Sequence, residues 1–317
     1  MASNQPSVFI DGEAGTTGLG IRQRLEGVPE ITLRSLPAAQ RKDPSARQDM
    51  MGACDLVVLC LPDDAAREAV ALARALASDT PKLLDASTAH RVDPEWTYGF
   101  PEIAPDQPPK IAAASKVSNP GCYPTGAIAL LRPLVQAGFI PPDYPIAISA
   151  ISGYSGGGRS LIEAHDRDGG PAFELYALGL EHKHVPEIQL FGGLTRRPIF
   201  MPSVGHFRQG MLVSLPLYLD DLPGKPSGAD LREALRAFYE GSEYITVAVS
   251  NGADNLEPDA LNGTNRLDLY VCANEQRRHA VLVAQLDNLG KGASGAAVQN
   301  LRLMLKLDSK SQPVSVS

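Results

Sequence analysis

The ten residues "DGEAGTTGLG" (11–20) constrain the fold more than any others in the chain. They follow a short apolar run, "SVFID" (7–11), they lead into a helix-like segment from about Thr17, and they space Gly12, Gly15 and Gly18 as G-x-x-G-x-x-G. Glycines placed in this way let a strand turn sharply into a helix, let that helix pack close to the strand, and let the backbone approach a pyrophosphate at the helix N-terminus. The pattern then repeats without the glycines: "ITLRSL" (31–36), "CDLVVLCL" (54–61), a helical "DDAAREAVALARALA" (63–77) and "PKLLDAS" (81–87). In that helix Ala66, Ala69, Val70, Ala73 and Leu76 follow the helical period. Short apolar runs alternating with helices predict a parallel sheet covered by helices, a Rossmann-type α/β domain that binds a dinucleotide.

A proline-rich stretch, "DPEWTYGFPEIAPDQPPK" (93–110), closes this series, and the pattern changes after it. "GMLVSLPLYLD", "YITVAVS", "RLDLYVCAN" and "AVLVAQLD" alternate apolar and polar positions, with Met211, Val213, Leu215, Leu217 and Leu219 on one face. That is the pattern of a mixed or antiparallel sheet with helices on one side, an α+β domain. A final helix in "GKGASGAAVQNLRLMLKL" turns Val298, Leu301, Met304 and Leu305 to a core. A chain of 317 residues accommodates two such domains, and the expected division is 1–117 for the nucleotide, 118–287 for the substrate and 288–317 for the closing helix.

Charge and composition exclude several classes of function. The net charge is −7 and no run of Lys or Arg forms a footprint for nucleic acid or an anionic membrane. The N-terminal residues lack the basic and apolar regions of a signal peptide, and no apolar run reaches about 18 residues. A cytoplasmic protein is expected, acting on a small molecule. Four cysteines without C-x-x-C spacing suggest neither a disulfide framework nor a zinc site. Cys54, Cys60 and Cys272 read as small buried hydrophobes.

The fourth cysteine is different. In "SNPGCYPTGAI" Cys122 follows Pro120-Gly121 and opens a helix, where unpaired N–H groups and partial positive charge favour a thiolate nucleophile. A thiolate beside a nicotinamide cofactor suits one economical reaction, in which the thiol takes an activated acyl group as a thioester that hydride reduces to an aldehyde. Proton transfer then needs a partner, and "EHKHVPEI" supplies His182 and His184, with Glu187 near enough to orient one of them. Metal ligation by this run is not expected, because no further Cys/His cluster completes a site. In "ISGYSGGGRS" (151–160) the backbone around Gly156 can hold an anion and Arg159 can pair with a carboxylate or phosphate. On the cofactor side, Thr16 and Thr17 start the first helix, Ser87 lies at the rim of the parallel sheet near the nicotinamide, and His90 follows it. The second strand ends in Arg34 and Ser35 rather than an acidic residue, a cation and a hydroxyl suited to a 2′-phosphate, so NADP(H) is favoured over NAD. His165, His206 and His279 have no distinguishing neighbours.

With these pieces in place the chain resembles the N-acetyl-γ-glutamyl-phosphate reductases, in their shorter class. "FIDGEAGTTGLGIRQRL", "CLPDDAAREAV", "DASTAHR", "NPGCYPTGAI", "SGYSGGGR", "HKHVPEI" and "LDNLGKGASGAAVQN" occur in that order. The resemblance implies an architecture like that of aspartate-semialdehyde and glyceraldehyde-3-phosphate dehydrogenases, with the closing helix returning to the nucleotide domain. It implies Cys122 as nucleophile and His182 as acid/base, with His184 as a substrate contact or the alternative base. It further implies Gly156, Arg159 and Glu187 around the substrate, and Asn288, Lys291 and Gly292 near the nicotinamide of NADP(H). The implied reaction is NADPH-dependent reduction of an acyl phosphate in arginine biosynthesis, by a homodimer or homotetramer. The same chemistry on aspartyl or carrier-bound amino-adipyl phosphate, or a non-catalytic NADP-binding redox sensor, are the alternatives.

Overall fold

The computed structural model describes residues 5–77, 80–248 and 255–307. It divides into two compact units, one ending at Pro120 and resuming at Ala293, the other Gly121–Gly292.

The first unit is built on a parallel sheet of β1 (Ser7–Asp11), β2 (Thr32–Arg34), β3 (Leu56–Leu59), β4 (Lys82–Asp85), β5 (Thr97–Tyr98) and β6 (Lys116–Ser118), in the order β2-β1-β3-β4-β6-β5. Helices α1 (Thr16–Leu25), α2 (Pro44–Gly52), α3 (Asp63–Arg74) and α4 (Gln107–Ala113) connect them. β1 and β3 are buried on both faces, as expected of central strands in a helix-covered parallel sheet. Val8 and Ile10 enter one core cluster, and Phe9, Val57 and Leu59 the other. Helix α2 has no counterpart among the expected elements, although its start is marked by Asp43 accepting from the Ser45 and Ala46 N–H groups and by Pro44 in the first turn. The chain leaves β1 for β2 on one side and returns to β3 on the other, so the strand order reverses beside β1, and ligands of such sheets bind outside the carboxyl ends at this point.

The second unit carries a mixed sheet of β7 (Ala147–Gly153), β8 (Phe173–Leu175), β9 (Ile199–Gly205), β10 (Met211–Tyr218), β11 (Ile245–Val247), β12 (Leu267–Asn274) and β13 (His279–Leu286), in the order β11-β12-β13-β10-β7-β9-β8. The strand expected from "YITVAVS" is β11, and its Val249 and Ser250 lie outside the described residues. Helices α5 (Cys122–Gln136), α6 (Gly158–Asp168), α7 (Val185–Gly192) and α8 (Gly228–Phe238) complete the unit. Met211, Val213, Leu215 and Leu217 of β10, followed by Leu219, are buried on the face that α5 covers. Each such side chain contributes roughly 1.5–3 kcal/mol by leaving water. The other face is covered where Asp268, Val283 and Gln285 are buried and open around Tyr218 and Val281, and this corrects the expectation for Cys272: the alternation of β12 turns it to the open part, where it is exposed. Cys54 is buried and Cys60 partly so, both packed in the first unit's cores as expected.

The chain then returns to the first unit as α9 (Gly295–Leu305) after one wider turn, Gly290–Ser294. Ala297, Val298, Leu301 and Met304 join the cluster that holds β1 and α1. Among the described residues no helix is long and apolar enough to cross a membrane.

Candidate active site

The glycine loop sits at the carboxyl end of β1. Gly12 has φ +90°, and a Cβ there would lie 2.3 Å from the Cys60 carbonyl oxygen, while one on Gly18 would lie 2.4 Å from the Gly12 carbonyl oxygen. Only glycine fits either position. Gly15 precedes α1 without a side-chain cap, and no acidic residue occupies the first turn, so the N–H groups of the turn begun by Thr16 and Thr17 are left for a ligand's phosphates. The backbone therefore fits a dinucleotide. At its base Asp11 is clamped by Arg47, whose Nε and Nη2 donate at 3.1 and 2.8 Å. Burial raises the Asp11 carboxyl while Arg47 pulls it back down.

Arg34 and Ser35 part company. The Ser35 hydroxyl donates to Glu13 at 2.8 Å and accepts from Arg22 Nη1 at 2.7 Å, beside the loop. Arg34 lines a separate polar recess with Gln5, Ser7, Gly52, Cys54 and Asp55, where β1 and β3 begin. There its charge acts on the Cys54 thiol, which burial chiefly holds above the ordinary range. Strand pairing explains the split: Arg34 pairs with Phe9 inside the sheet, and Ser35 is the first residue beyond β2. Ser87, expected at the nicotinamide, donates its hydroxyl to Asp85 at 2.8 Å, and the same carboxylate holds His90 Nδ1 at 2.6 Å while the His90 ring stacks on Trp96.

In the second unit Cys122 is the first residue of α5. Gly121 caps the helix without a side-chain bond and no acid occupies the first turn, so the partial positive charge of the terminus acts on Sγ unopposed by its own helix. The buried Glu187 carboxylate accepts from the Gly121 N–H at 2.9 Å and so fixes the residue before the thiol. Gly292 packs on Cys122, since a Cβ there would lie 2.9 Å from that of the cysteine.

His182 is the better defined of the two histidines. Its Nδ1 accepts from the His184 N–H at 3.1 Å, which leaves the proton of the neutral ring on Nε2. Nε2 meets the Tyr176 hydroxyl at 3.4 Å, Tyr176 donates to Tyr123 at 3.4 Å, and Tyr123 donates to the Ser203 carbonyl at 2.9 Å. With a backbone donor at one end and a carbonyl at the other, the chain of bonds has one direction. Burial, reinforced by the Cys122 charge, pushes the Tyr176 phenol up to about 12, and the Tyr123 phenol is raised as well. Neither tyrosine stands out in the sequence. Tyr123 is the neighbour of Cys122, and Tyr176 is an aromatic just past a short strand.

The remaining expected residues divide between support and surface. Asn288 spends its amide on structure, donating to Ser155 at 2.9 Å and accepting from the Gly210 N–H at 2.7 Å. Lys291 is buried with its Nζ 5.0 Å from the Tyr244 ring centre. Gly156 lies against Ser152, whose Oγ is 2.9 Å from where a Cβ would stand. Arg159 faces solvent in a 2.7 Å pair with Glu163 on the same helix. His165 and His206, without distinguishing neighbours in the sequence, meet Nδ1 to Nδ1 at 2.9 Å beside Tyr154. Among the described residues no group of three or more His, Cys, Asp or Glu is placed to hold a metal ion.

Known proteins align with both units. Residues 8–111 match the family model "Semialdehyde dehydrogenase, NAD binding domain", and residues 122–288 match "Semialdehyde dehydrogenase, dimerisation domain". The N-acetyl-gamma-glutamyl-phosphate reductase 2 of Pseudomonas putida is 53% identical over 95% of this chain and 97% of its own length. The N-acetyl-gamma-glutamyl-phosphate reductase of Burkholderia cenocepacia is 51% identical over 96% and 98%. Among solved structures, the aspartate semialdehyde dehydrogenase of Francisella tularensis superposes with a TM-score of 0.72 at 14% identity, over 95% of this chain and all of the other, which shows the shared fold. With half its residues identical to theirs along nearly the whole length, the chain belongs to the N-acetyl-γ-glutamyl-phosphate reductases, within the semialdehyde dehydrogenase fold.

Proposed function

We propose that the protein reduces N-acetyl-γ-glutamyl phosphate to N-acetylglutamate 5-semialdehyde and phosphate with NADPH, as a step of arginine biosynthesis. The observation that carries this reading is Cys122 at the uncapped start of α5, against Gly292, with its charge felt by the tyrosine that bonds His182. The Cys122 thiolate attacks the acyl carbon, the bond to the phosphate oxygen breaks with its electron pair on the leaving phosphate, and a thioester remains. Gly12, Gly15 and Gly18, with Thr16 and Thr17, would hold the cofactor, which would supply the hydride that takes a thioester to the aldehyde level. His182 shares its Nε2–H with the oxyanion at that carbon as a hydrogen bond, and the oxyanion collapses to the aldehyde as the carbon–sulfur bond breaks and the thiolate returns. Gly156 and the loop around it, braced by Asn288 and Ser155, lie in the same unit as the thiol and receive the substrate with Glu187 and His184.

The open sheet face, with Ile199, Met201, Tyr218 and Val281 exposed, takes a second copy of the chain, so the working form is a homodimer or homotetramer in the cytoplasm. The test is phosphate-dependent NADP reduction with N-acetylglutamate semialdehyde, run against aspartate semialdehyde and repeated after thiol alkylation. Turnover with the acetylated substrate, lost on alkylation, is expected. Turnover with aspartate semialdehyde alone would overturn the substrate, and activity that survives alkylation would overturn the thioester.

A further inference from the structure

Glu13 is a buried carboxylate in the glycine loop with both oxygens engaged. Its Oε2 accepts from Arg22 Nη1 at 2.9 Å and from the Ser35 hydroxyl at 2.8 Å, and its Oε1 pairs with Arg41 Nη2 at 2.6 Å. The cluster joins the loop after β1 to the first residue after β2, and in open parallel sheets the adenosine ribose lies between those two points. An acid there ordinarily reads the free hydroxyls of the ribose. Glu13 is instead buried and already gathers three donors, so its carboxylate serves the cluster rather than a ribose hydroxyl.

We propose that Arg22, Ser35 and Arg41 form the seat of a phosphate monoester on the adenosine ribose, the 2′-phosphate of NADP(H), with Glu13 as the buried floor that gathers the two guanidinium groups. The inference rests on the NADP reading above and replaces Arg34 in it. Arg22 spends Nε on Glu26 at 3.2 Å and Nη1 on Glu13 and Ser35, while Arg41 spends Nε on the Leu36 carbonyl at 3.2 Å and Nη2 on Glu13. Among the described residues Arg22 Nη2 and Arg41 Nη1 make no hydrogen bond, and the two side chains are 36% and 42% exposed, so their outer edges face solvent. A phosphate can therefore take donors from both without displacing Glu13. Pinning the long side chains in advance removes much of the ordering cost that two free arginines would pay on binding. Glu13 and Glu26 also balance the two cations, so the site is not left with bare positive charge when it is empty of phosphate.

The test is calorimetric binding of adenosine 2′,5′-bisphosphate and of 5′-AMP to the full chain, with thermal unfolding as a check that each variant folds. Wild-type protein should prefer the bisphosphate by about tenfold or more at low salt, as expected for charge-assisted arginine–phosphate bonds. Arg22→Gln and Arg41→Gln should each lose most of that ratio while 5′-AMP affinity stays within about twofold, and Arg34→Gln should keep it. A ratio that survives both Arg22→Gln and Arg41→Gln, or one that collapses in Arg34→Gln, overturns the seat. A wild-type ratio near one overturns the seat alone, whereas binding of neither nucleotide overturns it together with the dinucleotide reading. Failure of phosphate-dependent turnover with the ratio intact would instead count against the reductase reading and leave the seat standing.

Discussion

The glycine loop of the first unit and the thiol region of the second do their work by opposite means. In the loop, function comes from side chains that are missing: Gly12 and Gly18 leave the backbone no room for a Cβ, and the N–H groups of α1 are left uncapped. Around Cys122, function comes from side chains that converge from distant parts of the chain, with Glu187 from α7, Tyr176 beyond β8 and Gly292 after β13 meeting at one helix start. A backbone site is contained in about ten consecutive residues and its spacing can be read directly. A convergent site is not contained in any one segment.

The contrast can be broken apart by substitution. The largest effect is expected from Cys122→Ser, which should cost ~10⁴-fold or more in phosphate-dependent turnover with nucleotide binding unchanged; residual turnover near wild type would remove the nucleophile from the scheme. His182→Asn should cost ~10²–10⁴-fold in kcat with NADP affinity kept, and His184→Asn clearly less. Equal losses in the two would deny His182 the proton on Nε2. Gly18→Ala tests the other region. Forcing a Cβ to within 2.4 Å of the Gly12 carbonyl should cost the loop ~1–3 kcal/mol, or roughly one to two orders of magnitude in nucleotide affinity, without changing the rate at which Cys122 is alkylated. A matching drop in alkylation would show that the two regions are not separable.

The smallest effect concerns Tyr176. Burial pushes its folded-state phenol up to about 12 from an ordinary value of 10.0. The protonated form is thus favoured by folding, and this contribution is complete below pH 10 and lost as pH rises from there toward 12. In urea unfolding, the stability difference between wild type and Tyr176→Phe should be flat up to pH 10 and then move against the wild type. A difference that is flat throughout would place the hydroxyl in water.

Legibility in the sequence follows the same division. β1 begins and ends where "SVFID" does, and the apolar face of β10 is the buried one, because both depend on local periodicity. Cys272 is exposed where burial is expected because alternation tells which residues share a face but not which face is covered. Arg34 and Ser35 are adjacent, yet pairing turns one into the recess at the strand starts and leaves the other beside Glu13. Arg22 and Arg41 had no local signal, since a helix arginine and a loop arginine become a pair only through a carboxylate that folding carries between them.

The return of the chain as α9 also sets a schedule for synthesis. β1, β3 and β4 leave the ribosome before the second unit, but the cluster that buries Val8, Ile10 and Leu84 also needs Ala297, Val298, Leu301 and Met304, which are made only after all of Gly121–Gly292. At ribosomal speeds the intervening Gly121–Gly292 takes on the order of ten seconds or more to emerge. Throughout that interval the nucleotide-binding half is an unfinished domain with part of its core exposed to water. A premature stop before α9 would leave the nucleotide-binding half without those four side chains, its core open to water.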